Sequence, residues 1–419
     1  MRLAEVALIT LACCAAAAPA AAGTPLSQDE ALAEARRANA RLPVARLEAE
    51  GAAAGVHEAE GRLLPSLAFD GDLHAGTPKR YASNDARAQL VAELPIYDGG
   101  RLRAGVASSA AAADAARAGY HQAEKDLDLE VRSLFATCLE AEQEIAFRRA
   151  GIERLRTYRS VIEAQRAGGQ GVASDLLKTR VRLGEGDAGI AAAQRRLDEA
   201  KLELNELLGR DPDSNLELEP LPAPEAPVDT AESEPWRTAP EIAQAEAATR
   251  AAAASVTAVR ADRLPQVSLM ADVGGQPVWG NSQLALLNNG VGWGGELVLA
   301  VNLPLWDAGV FRSRVVQAEL AEKAAGQRLA VAQRRARLEW QRARAGLRGL
   351  YLEVDARART IETARDSYLQ AESLYRGGAG SALEVLDAYD AWSSGSQAHA
   401  ETVLQYRLAQ AELLRWGTP

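Results

Sequence analysis

Cysteine is nearly absent from this 419-residue chain: there are three, and Cys13 and Cys14 both fall within the first twenty positions. Removal of a leader there would leave Cys138 alone, so no intrachain disulfide framework holds the fold. Aromatic residues make up only 5% of the chain although 47% of it is hydrophobic, because alanine dominates. Long helices in close contact are favoured. Positive charge is in deficit at a net −10, with no basic run interleaved with aromatics, which argues against a nucleic-acid partner. Past the N-terminus no run reaches 18 apolar residues, so no helix is expected to cross a membrane. The four histidines, His57, His74, His121 and His399, show no metal-ligand spacing. G-x-x-x-x-G-K-[ST], G-x-S-x-G and H-E-x-x-H are all missing. The reading is therefore of a protein that is not an enzyme, holds no metal and needs no cofactor.

What is present begins with a leader. Arg2 precedes an apolar stretch, Val6 to Ala18, and Ala20-Ala21-Ala22 offers a cleavage site, so residues 1–22 read as a signal peptide. The apolar stretch is too short for an anchor helix. Lipidation of Cys13 or Cys14 is the alternative, although neither follows the usual Leu-Ala/Ser-Gly/Ala pattern. A secreted chain without a spanning helix can still enter a membrane as a β-barrel.

The rest of the chain is written twice. "RAGGQGVASDLLKT", Arg166 to Thr179, returns 209 residues later as "YRGGAGSALEVLDA", Tyr375 to Ala388. Gly168, Gly169 and Gly171 match Gly377, Gly378 and Gly380, and Asp175 matches Glu384. "LPIYDGG" from Leu94 returns as "LPLWDAG" from Leu303 at the same offset, and Pro65 returns as Pro265 at an offset of 200. Residues 23–210 and 241–419 therefore read as two copies of helix, two strands and a long helical hairpin (99–209 and 308–416). The proline-rich, acidic stretch 211–240 links them.

Leu127, Val131, Leu134, Cys138, Ala141, Ile145 and their successors step by alternating threes and fours, as do Leu347, Leu350, Val354, Arg357 and Ile361. This is a coiled-coil seam. The 70 residues from Gly99 to Gly168 would extend about 105 Å as a helix. Segments 66–74, 86–96, 266–274 and 294–303 instead alternate apolar with largely polar positions. Tyr81, Tyr97, Trp279, Trp293 and Trp306 lie near their ends. That is the pattern of membrane-barrel strands with interfacial aromatics. Four strands cannot close a barrel, so copies must pool them: two give eight strands, three give twelve.

With these features in this order, the chain resembles the outer membrane efflux protein family, the TolC-like channel-tunnels. The joints "LPIYDGGRLRA" and "LPLWDAGVFRS", the turn "YRGGAGSALEVLDA" and the opening "LSQDEALAEARRANARLPVARLEAE" carry the resemblance. It implies a mainly α protomer, internally duplicated, that trimerises into a twelve-stranded β-barrel and a twelve-helix tunnel. It implies a passive exit duct in the outer membrane of a Gram-negative bacterium, with a long periplasmic extension. Its partners would be outer-membrane lipid, a periplasmic adaptor and an inner-membrane pump of RND or ABC type, for efflux or type I secretion. The glycine turns would be the adaptor-contacting tips, Glu384 and Asp387 a ring of acids at the pore entrance, and Tyr375 with Asp175 a latch between hairpins. Gly380 departs from the family pattern, which often has a basic residue there. The competing reading is a soluble periplasmic coiled-coil adaptor or scaffold, which would have the heptads and leader but no need of four alternating strands.

Overall fold

The computed structural model describes residues 25–75, 83–167, 173–227, 234–276, 278–280 and 292–416. The leader, Tyr81 and the first glycine turn with Gly168, Gly169 and Gly171 lie outside the described residues. The first copy comprises α1 (Gln28–Ala38), α2 (Arg41–Gly61), β1 (Ser66–Ala75), β2 (Ser83–Tyr97), α3 (Arg101–Ala167) and α4 (Ala173–Leu207). The second comprises α5 (Pro240–Ala261), β3 (Gln266–Gln276), β4 (Val278–Gly280), β5 (Gly292–Asn302), α6 (Val310–Arg376) and α7 (Ala382–Arg415). The two long helices, α3 and α6, each have 67 residues, about 100 Å at 1.5 Å per residue.

The strands form one antiparallel sheet in the order β1-β2-β3-β5, with β4 beside β2. Its register aligns the alternation across all four long strands. Leu67 faces Ala92, which faces Ala271, which faces Leu297; one step on, Leu94, Leu269 and Leu299 are in line. One face is thus apolar, and it is bare: Leu67 is 73% exposed and Leu299 60%. The opposite face carries Arg87, Gln89, Glu93, Asp272 and Glu296. Neither β1 nor β5 has a neighbour on its outer edge among the described residues.

β2 and β5 each enter a long helix through an aspartate. Asp98 accepts from the Gly100 amide at 3.0 Å and from the Leu102 amide; Asp307 does the same for Gly309, at 3.1 Å, and Phe311. These carboxylates satisfy amide groups that the first helical turn leaves unpaired. The joint also needs two left-handed residues, and there the copies differ. In the first they are Gly99 and Gly100 (φ 67° and 93°); in the second, Ala308 and Gly309 (φ 55° and 86°).

The helices lie side by side. α3 packs against α2 and α4 on one flank and against α5 and α7 on the other, and α6 packs against α5 and α7. The assembly therefore ends in two open flanks, α2/α4 and α6. The linker is partly tied down: Leu216 and Leu218 join the core of the first copy, and the Tyr406 hydroxyl donates to the Glu225 carbonyl at 2.7 Å. No helix among the described residues is long and apolar enough to cross a membrane.

Candidate functional site: the hairpin tip

At the far end from the sheet, α6 stops because Gly378 adopts φ 76°, a left-handed conformation that glycine takes without strain. The Ala379 and Gly380 amides then both donate to the Leu374 carbonyl, at 2.9 and 3.1 Å, closing the helix end. α7 restarts at once through a capping box. The Glu384 amide donates to the Ser381 hydroxyl at 3.3 Å, and the Glu384 carboxylate accepts from the Ser381 amide at 2.9 Å.

Behind the turn lies a core richer in rings than the chain average suggests. Tyr158, Tyr368, Tyr375 and Trp392 are buried there with Leu155, Ile162, Leu176 and Val385. Trp392 stacks on Tyr368 at 5.5 Å between centroids, meets Phe147 edge-on at 5.8 Å, and holds the Arg154 guanidinium over its ring at 4.4 Å. Such ring pairs and cation–π contacts add about 0.5–1.5 kcal/mol each beyond burial. Burial, with Glu372 nearby, pushes the Tyr368 phenol up to about 12.

The structure places the anticipated site residues as follows. Tyr375 is buried, its ring 5.2 Å from that of Tyr158. Tyr158 also donates to the Ala382 carbonyl at 3.2 Å, tying α3 to the start of α7. Burial raises both phenol pKa values, and the nearby Asp175 carboxylate raises them further, so both stay protonated. Asp175 thus sits beside Tyr375 within a single chain, although no hydrogen bond joins them among the described residues. Glu384 and Asp387 are exposed. Glu384 is engaged by its own helix start, while Asp387 acts electrostatically on Asp390.

Several participants carried no signal in the spacing. Arg182 on α4 pairs with Asp390 on α7, a tie between the two shorter helices of the copies. Burial raises the Asp390 pKa, and the facing Arg182 opposes that shift. Gly186 and Gly189 are close-approach positions. A methyl at Gly186 would lie 2.9 Å from Ile152 of α3, and one at Gly189 would meet Arg148; Gly184 has open space around it.

The sequence matches the outer membrane efflux protein family over residues 31–210 and 237–416, one match for each copy. The chain belongs to that family. No curated protein gives a match. Solved structures show the same fold at low identity. VceC, an outer membrane protein of Vibrio cholerae, superposes with a TM-score of 0.82 at 17% identity, over 93% of this chain and 95% of its own. The open-state MtrE channel of Neisseria gonorrhoeae gives 0.78 at 22%, over 93% and 88%. CusC, described for its transmembrane channel formation, gives 0.82 at 20%, over 93% and 91%. The mainly α, duplicated protomer is therefore the fold of the outer membrane efflux proteins, a family of channels rather than enzymes. This chain is an outer membrane efflux channel, and the soluble scaffold reading falls away.

Proposed function

We propose that three copies pool their strands into a twelve-stranded barrel and their helices into a tunnel, a passive exit duct across periplasm and outer membrane. One observation carries this reading: a sheet of four long strands with an apolar, exposed face, its two edges unpaired among the described residues, is joined to helices about 100 Å long. Open edges cannot stand in lipid, where each unpaired backbone group costs several kcal/mol, so closure must come from further copies. The barrel lies in the outer membrane of a Gram-negative bacterium and the helices extend into the periplasm. Energy comes from an inner-membrane pump, of RND or ABC type, reached through a periplasmic adaptor that meets the glycine turns (Gly168, Gly169, Gly171; Gly377, Gly378, Gly380).

At the tip, Asp387 supplies exposed negative charge toward the entrance of the tunnel, and Glu384 shares that task with its capping role. Tyr375 and Asp175 hold the entrance closed through the phenol pair with Tyr158. The test is the native mass of the detergent-extracted protein together with single-channel recording. A three-copy particle is expected, and Tyr375→Phe with Asp175→Ala should raise its conductance. A monomer or dimer would overturn the duct, and unchanged conductance in a trimer would overturn the latch alone.

A further inference from the structure

The two copies differ most in what covers them. α5 runs along α3 with Ala247, Ala254 and Ala261 buried, a heptad line. Its equivalents on α2, at the 200-residue offset, are Leu47, Ala54 and Gly61, and all three are exposed; Leu47 is 65% exposed where Ala247 is 0%. On the other side, Ala104, Ala111 and Ala118 of α3 are buried. Their 209-offset equivalents on α6, Ser313, Leu320 and Gln327, are exposed. The internal seam between α3 and α5/α7 thus has a second, unfilled copy, split between the two open flanks of the molecule.

The charges along the internal seam identify what fills it. Asp114 of α3 pairs with Arg250 of α5 at 2.8 Å. Twelve residues on, Asp126 of α3 faces Arg415 of α7 at 2.9 Å, and Arg415 is also held by Glu241 of α5 at 3.1 Å. Carrying each position to the other copy changes every sign. Asp114 becomes Lys323 and Arg250 becomes Glu50; Asp126 becomes Arg335, Arg415 becomes Glu206 and Glu241 becomes Arg41. An acid–base pair becomes a base–acid pair, and an acid–base–acid triad becomes base–acid–base. All five residues are exposed in the single chain. Among the described residues, Arg41, Glu50 and Arg335 pair within their own copy, with Glu130 at 2.7 Å, Arg46 at 3.0 Å and Glu339 at 2.7 Å.

We infer that the seam between copies is a charge-inverted replica of the internal seam, with Lys323 and Arg335 of one copy meeting Glu50 and Glu206 of the next. This rests on the assembly proposed above and specifies its contacts. The inversion decides connectivity as well as attraction. α3 presents acids and accepts the basic pair Arg250 and Arg415 of its own chain. α6 presents bases and accepts the acidic pair Glu50 and Glu206 of a neighbour. If α6 slid onto another copy's α5 and α7, bases would meet bases, and α3 against a foreign α2 and α4 would set acids against acids. Like charges in register are repulsive, so the wrong junctions are disfavoured although the apolar lines match. The sheet follows the same rule. The β2–β3 register of Ala92 with Ala271 carries over to Val301 of β5 against Gly71 of the next copy's β1.

The test uses the full chain in detergent, read by native mass and by the temperature at which the trimer band is lost on a gel. Lys323→Glu with Arg335→Glu, and separately Glu50→Lys with Glu206→Lys, should each lose the trimer at temperatures where the unsubstituted chain keeps it. Combining all four should restore it, and circular dichroism should show unchanged helix throughout. Lys323→Cys with Glu50→Cys should cross-link copies under mild oxidation, whereas Lys323→Cys with Arg250→Cys should not. A trimer indifferent to the one-sided reversals, or not restored by the fourfold one, overturns the seam and leaves the assembly standing. An unsubstituted chain that is not trimeric overturns the assembly and the seam with it.

Discussion

The sheet and the hairpin tip sit at opposite ends of the same long helices and treat large apolar side chains in opposite ways. At the tip, Trp392, Tyr368 and Tyr375 are buried against one another in a core that a single chain completes. At the sheet, Leu67, Phe69, Leu297 and Leu299 lie bare on a face aligned over four strands. Just beyond it, Leu305 and Trp306 are 88% and 86% exposed. Water would penalise a continuous apolar face of this kind. The difference teaches that one protomer closes an aromatic core at the tip by itself, whereas at the sheet it leaves an apolar face that the proposed barrel would turn to lipid.

The comparison breaks first at the tip. Trp392→Ala removes the stacking partner of Tyr368 and the seat of Arg154 and should cost about 3–5 kcal/mol. Thermal unfolding followed by helix signal should show the loss, while extraction from membranes stays unchanged. At the sheet, Leu299→Arg should cost roughly 2–4 kcal/mol of assembly in lipid, measured by folding into vesicles. If the face were a water-exposed surface, the same change would stay within about 0.5 kcal/mol.

The joints between sheet and helices sharpen the contrast at smaller scale. Gly99→Ala would add a methyl 2.7 Å from Leu264 at a left-handed residue, whereas Ala308 already stands at φ 55° in the other copy. Gly99→Ala should therefore destabilise, and Ala308→Gly should stabilise by about 1 kcal/mol, both read by denaturant midpoint. The smallest effect is one of pH. Asp390 has its pKa raised by burial, so the folded chain holds this proton more tightly than the unfolded one. Stability from this group is fullest below the ordinary carboxylate value of 3.8 and declines as pH rises through the higher folded value. The melting temperature of the unsubstituted chain, relative to Asp390→Asn, should fall across that window. A flat difference would mean that Arg182 cancels the burial.

Much of this was legible in the sequence, for reasons that can be named. The 209-residue echo located the duplication, because equal folds need turns and joints at equal spacing. Alternation along the strand segments anticipated an apolar and a polar face, because successive strand side chains point to opposite sides. The anticipated site was only partly legible. The resemblance paired Tyr375 with Asp175 but could not find Tyr158, whose ring packs against that of Tyr375, because Tyr158 is 217 residues away in sequence. The resemblance put Glu384 in a ring of acids without revealing that its carboxylate is occupied by the Ser381 amide. No spacing announced the role of Gly186 and Gly189, because a glycine's reason lies in what approaches it, here Ile152 and Arg148.

By itself, then, the sequence determined the repeat, the helix period, the strand alternation and the glycine turn, since each follows from local geometry along one chain. Only the tertiary structure decided which helix lies beside which, that the Ala247–Ala254–Ala261 line of α5 is covered while its counterpart on α2 is exposed, and that Asp126 meets Arg415 across 289 positions. Pairing across a seam depends on neighbours in space. The sign reversal between Asp126–Arg415 and Arg335–Glu206 has meaning only once those neighbours are known.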